Sequence, residues 1–159
     1  MINSELLDKI IEQFETNPGG FDLTLEQIEK NNILCFDILL GSHAELLTDE
    51  EMDYLVFLYV ILYEAIQRTT TVAQPDEKTV EQTDESTWDI VNEQKDIEAC
   101  FDTFVNLTGN EDLVEFIYSS LDPDEESSHH FSDTARVVMI AVLISEVRLL
   151  LPQNTTSIE

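Results

Sequence analysis

Glu126 and His129 stand three residues apart, the spacing at which one helix can offer a carboxylate and an imidazole to the same metal ion. His130 follows directly, and His43 is the third histidine of the chain. Carboxylate-bridged di-iron bundles need that Glu-x-x-His pair twice, together with two further inward glutamates, and no second copy occurs here. A metal site on Glu126, His129 and His130 is therefore the weakest reading of these residues. Asp122-Pro123-Asp124-Glu125-Glu126 has the acid density of a calcium loop but lacks the glycine at its sixth position and the glutamate at its twelfth. Neither a Gly-x-Ser-x-Gly elbow nor a glycine-rich phosphate loop is present. Acid–base catalysis needs carboxyls whose pKa values are pushed apart by burial, and acids this abundant single out no pair. The expectation is a non-enzymatic protein with no cofactor.

Charge is the stronger signal. Thirty-four acids stand against 7 Lys and Arg in 159 residues, a formal charge of −27. Such a field repels phosphate backbones and anionic lipid surfaces, which excludes direct nucleic-acid binding and disfavours a membrane surface. The acids are not evenly spread. Residues 1–68 carry 14 acids and 3 bases, residues 69–131 carry 17 and 2, and residues 132–159 carry 3 and 2. The field thus comes from the first four-fifths of the chain, and the last helix reads as interior.

Two classes of binding follow. The leading one is a basic protein partner held through the carboxylates, as an immunity or inhibitor protein neutralises a cationic toxin, or as a DNA mimic occupies a nucleic-acid-binding protein. Asp122, Asp124, Glu125 and Glu126 are the candidate contact residues. The alternative is a small helical regulatory or scaffold domain whose charge serves only solubility, with an apolar patch near Trp88 or Tyr54 as the contact. The first segment, MINSELLDKIIEQF, is acidic and amphipathic and lacks the basic and apolar regions of a secretory signal. Cys35 and Cys100 are too few for a disulfide framework and read as small buried side chains in a reducing cytoplasm.

The elements that must position these residues read as helices nearly throughout. Leu6, Leu7, Ile10, Ile11 and Phe14 share one face of a first helix, which Asn17-Pro18-Gly19-Gly20 stops. Thr24 has the form of an N-cap, with Gln27 three residues on, for a second helix reaching about Leu40. Thr48 repeats the device with Glu51. The third helix, 49–68, is apolar on every side from Tyr54 to Tyr63 and so must be surrounded by others. Residues 69–85 are polar and acidic and read as a loop, after which Ser86 caps a fourth helix. Gly109-Asn110 separates that helix from a short fifth one, and Ser132 or Asp133 starts a sixth, 133–151, stopped by Pro152. The fold class expected is all-α: about six helices in a single compact domain, 1–151, with a frayed tail at 152–159.

Lys30-x4-Cys35-Phe36-Asp37 recurs as Lys95-x4-Cys100-Phe101-Asp102, and Val60-Ile61-Leu62-x-Glu64 resembles Val142-Leu143-Ile144-x-Glu146. This suggests two pseudo-repeated three-helix halves, 1–68 and 86–151, around the two apolar central helices.

Overall fold

A computed structural model describes residues 2–122 and 131–152, without the side chains of 38–40 and 42–44. Among the described residues the chain is all-helical. Its α-helices are α1 (Ser4–Thr16), α2 (Pro18–Asn31), α3 (Ile33–His43), α4 (Asp49–Thr69), α5 (Glu77–Gln94), α6 (Phe101–Thr108), α7 (Glu111–Ser120) and α8 (Asp133–Leu150). Short 3-10 turns at Ala44–Leu46 and Ile97–Cys100 precede α4 and α6. No helix among the described residues is long and apolar enough to cross a membrane.

The apolar helices sit where their composition requires. Helix α8 is buried at thirteen positions, from Ala135 to Leu150, and packs on α3, α4, α5, α6 and α7. Helix α4 packs on α8 from one side and carries α1 and α2 on the other. The Thr48 hydroxyl accepts the Glu51 amide at 3.1 Å, and the Glu51 carboxylate accepts the Thr48 amide at 2.8 Å, so the capping box closes as the sequence reads. The side chains of Asn110 and Ser132 cap α7 and α8 without the reciprocal bond, accepting the Leu113 and Ala135 amides at 3.1 Å each. Gly109, at φ 69°, takes the left-handed turn between α6 and α7.

Among the described residues eight α-helices stand where about six were expected, because two breaks come from tertiary bonds and backbone turns that the pattern does not signal. Asn32 ends α2 with its side chain drawn into the interior: its amide donates to the Ala73 carbonyl at 3.0 Å and its oxygen accepts the Tyr63 hydroxyl at 2.7 Å. The stretch expected to run unbroken to Leu40 is thereby cut into α2 and α3. The second break is at Lys95, which turns left-handed at φ 62° to end α5. A lysine in that region carries steric strain that glycine lacks. Lys95→Gly is expected to raise stability by about 1 kcal/mol in urea denaturation.

Three further expectations are corrected. Thr24 is not a cap: α2 starts six residues earlier at Pro18, whose missing N–H costs nothing in the first turn, and Thr24 lies buried inside the helix. Its hydroxyl donates to the Glu64 carboxylate at 2.9 Å, joining α2 to α4. Residues 69–85 are not all loop. Only 70–76 link α4 to α5, held to the end of α8 by the Ala73 amide on the Leu150 carbonyl at 2.8 Å. Asp76, rather than Ser86, caps α5, accepting the Thr79 amide at 2.8 Å. The buried seam of α5 is Val80, Thr87 and Val91, spaced by seven and four residues. Between Glu77 and Glu85 Val80 is the only apolar residue, so the first half of the helix reads as a polar stretch.

Candidate functional site

The arginines are held within the chain. Arg68 Nε pairs with Glu64 Oε2 at 2.6 Å, and Arg136 Nη2 with Glu98 Oε1 at 2.6 Å. Arg136 Nε also donates to the Leu121 carbonyl at 2.8 Å. Arg148 Nη1 donates to Thr87 Oγ1 at 2.9 Å and to Ser86 Oγ at 3.3 Å, tying α8 to α5. Almost every carboxylate among the described residues, by contrast, faces solvent. On α1, Glu5, Asp8, Glu12 and Glu15 are all exposed at intervals of three and four residues. They form a stripe about 15 Å long at the helical rise.

That stripe borders a cleft. Ser4 and Asp8 of α1 face Asp112, Glu115, Phe116 and Ser119 of α7 across a space of about 130 Å³. Two bonds fix the walls: the Ser4 amide donates to Asp112 Oδ2 at 3.2 Å, and Asn110 Nδ2 donates to the Ile2 carbonyl at 3.3 Å. Three carboxylates from two helices about a hundred residues apart in sequence thus converge on one hollow.

A second hollow lies next to it. The Tyr54 hydroxyl donates to the Ser120 carbonyl at 3.0 Å, one residue from the cleft wall. Tyr54 lines a shallow groove of about 310 Å³ with Glu50, Asp53 and Phe57, all on one face of α4. The rings belong to a longer ribbon. Phe14 meets Phe21 edge-on at 5.7 Å, Phe21 stacks on Phe57 at 6.0 Å, Phe57 on Tyr54 at 6.3 Å and Tyr54 on Phe131 at 5.3 Å. Phe21, Tyr54, Phe57 and Phe131 are half-buried, and Asp53 beside them is exposed.

Of the four contact residues expected from sequence, Asp122 is placed here, exposed just after α7 with its amide on the Ser119 carbonyl at 3.3 Å. Asp124, Glu125 and Glu126 lie outside the described residues, as do His129 and His130. Among the described residues no group of three or more histidine, cysteine and carboxylate side chains is placed to hold a metal ion. The Trp88 patch takes form as a separate groove of about 360 Å³ lined by Leu46, Trp88, Asp133, Thr134, Val137 and Val138. Leu46 at its edge is 55% exposed.

The most unusual chemistry is internal. Glu146, in the middle of α8, is fully buried, and neither carboxyl oxygen has a hydrogen-bond partner. The Tyr59 hydroxyl faces it closely enough to favour its ionised form, yet also stays outside hydrogen-bond geometry. Burial outweighs that contact and pushes the Glu146 carboxyl well above the usual range, and the charge of Asp84 adds to the effect. Burial likewise raises Tyr59, with Glu146 adding to it. Cys35 is pushed up to about 12, by burial first and by Glu146 second. Burial also raises the Cys100 thiol. Thiols held protonated in this way are poor nucleophiles and act as packing.

No protein-family model matches the chain, and no curated protein or solved structure matches it either.

Proposed function

We propose that this chain is a non-enzymatic, cytoplasmic interaction protein that binds a basic protein partner through the face formed by α1, α7 and the first half of α4. The observation that carries this reading is the convergence of Asp8, Asp112 and Glu115 on one cleft, joined through the Tyr54–Ser120 bond to a groove edged by Glu50 and Asp53. The arginines are held by the chain's own groups, and on α1 Lys9 is the one base against the four carboxylates of the stripe. Clustered carboxylates on a fixed frame accelerate encounter with a cationic surface and reject anionic ones. Asp122 lies just after α7, with its amide on the Ser119 carbonyl, and is a further contact of this face; Asp124, Glu125 and Glu126, which follow it in sequence, are proposed as contacts from their charge alone. Inhibition of a cationic enzyme and occupation of a nucleic-acid-binding protein both use such a surface. The α1 stripe favours the second where the partner normally follows a phosphate backbone.

One observation favours the scaffold reading: a mostly apolar groove is lined by Leu46, Trp88 of α5 and Asp133, Thr134, Val137 and Val138 of α8. The two-halves reading is supported by the matched placement of its tripeptides. Cys35 and Cys100 are both buried near the start of a helix, each shortly after the break that ends the preceding one.

Capture from lysate of the native source at low salt, followed by a rising salt gradient, tests the function. One basic protein leaving sharply at intermediate salt, in stoichiometric amount, is the expected result. Only diffuse ribosomal background, or a partner that salt does not release, contradicts it.

A further inference from the structure

We infer that α5, with the 70–76 link that leads into it, is a flap over α8 that opens when Glu146 gives up its proton. The latch is a polar cluster enclosed within the helices. Both Glu146 oxygens and the Tyr59 hydroxyl of α4 are buried without a hydrogen-bond partner. Asp84 of α5 disfavours a charge on Glu146, and Cys35 of α3 feels that charge. Arg148, on α8 itself, is engaged by Ser86 and Thr87. The remaining elements packed on α8 turn their ionisable groups elsewhere: Glu45, Asp102, Glu111, Asp112 and Glu115 are exposed, and the Tyr118 hydroxyl donates to the Ile97 carbonyl at 2.6 Å. A carboxylate anion enclosed in this way has neither water nor a donor, and it is relieved by letting water in.

The wall least firmly held is α5. Three of its eighteen residues, Val80, Thr87 and Val91, are buried, against ten in α4. Its six acids stand against one lysine, Lys78, so its own charge opposes an anion beneath it. The link is held by the Ala73 amide on the Leu150 carbonyl and the Asn32 side chain on the Ala73 carbonyl. Segments with few buried apolar contacts open first. The closed form keeps the Glu146 proton and the open form releases it at the ordinary glutamate value. The open population therefore rises with pH, by up to about tenfold for each unit above that value.

Hydrogen–deuterium exchange of the full chain from pH 5 to 8 reads the opening, each rate being divided by that of the unstructured chain at the same pH. A helix freed from its packing is marginal in water, so the amides of α5 should lose protection as pH rises while those of α4 keep theirs. Glu146→Gln should make α5 protection independent of pH. If that variant does not fold, alkylation of Cys100 carries the test, because its Sγ lies 3.9 Å from the Ile90 carbonyl of α5. Its rate relative to the urea-unfolded chain at each pH should rise in step with the loss of α5 protection. Loss of protection in α4 together with α5, α5 protection or a Cys100 ratio that does not change with pH, or a pH dependence that survives in Glu146→Gln overturns the flap.

Discussion

Glu146→Gln is expected to make the protein more stable than the parent chain at neutral and alkaline pH and to leave the two alike in mild acid. The direction follows from linkage. In the unfolded chain Glu146 ionises near the ordinary glutamate value, whereas burial in α8 holds the folded carboxyl protonated to well above it. Between those two values the unfolded state has released a proton that the folded state keeps. Stability from this group is therefore fully present below the unfolded pKa and is lost as pH rises toward the folded one, by up to about 1.4 kcal/mol per pH unit. The groups around the carboxyl do not offset this. Tyr59 from α4 and Cys35 from α3 are neutral, Asp84 from α5 is an acid, and Arg148, two residues along α8, is engaged by Ser86 and Thr87. Glutamine preserves the shape and has no proton to lose. Urea denaturation from pH 5 to 8 checks the point: the variant's advantage should widen with pH. Parallel curves for the two proteins would place the ionised carboxylate in contact with water or a cation, against the burial described here.

The second large effect concerns binding. Neutralising the cleft with Asp8→Asn, Asp112→Asn and Glu115→Gln is expected to weaken the captured partner about a hundredfold, close to 1 kcal/mol for each charge removed. The amide oxygen introduced by Asp112→Asn can still accept the Ser4 amide, so the cleft walls keep their tie. Glu77→Gln, Glu81→Gln and Glu85→Gln on α5 change the net charge equally at exposed positions of a helix that packs mainly on α8, the Ile97–Cys100 turn and α3. That control should weaken binding only by the small, salt-screened contribution of distant charges. Equal losses in the two variants would reduce the acidity to a general field without a face.

Local chemistry was legible in the sequence where the deciding groups are neighbours along the chain. The Thr48 capping box, the Gly109-Asn110 junction and the Ser132 cap each depend on residues within a few positions, and each forms as read. Interrupted helices were not legible, because Asn32 breaks the chain through bonds to Tyr63 and Ala73, some thirty to forty residues away. The start of α5 was hidden for a different reason: Val80 is the only apolar residue from Glu77 to Glu85, too few for hydrophobic periodicity to register a helix. Glu64 and Glu146 show how little a shared motif settles. Both follow three aliphatic residues and a gap, yet Glu64 is bonded by Thr24, Gln67 and Arg68 at the α2–α4 seam while Glu146 is buried without a hydrogen bond. The cleft had no sequence signal at all, since Asp8 meets Asp112 and Glu115 only through the packing of α1 on α7.

The face itself is tested most directly by carbodiimide labelling of carboxylates in the free protein and in its complex with the captured partner, read residue by residue by mass spectrometry. Protection should concentrate at Asp8, Asp53, Asp112 and Glu115, with Glu77, Glu81 and Glu85 on α5 labelled as in the free protein. Uniform labelling across these positions, or protection confined to Asp133 beside the Leu46–Trp88 groove, would contradict the acidic face and assign the contact to the apolar patch.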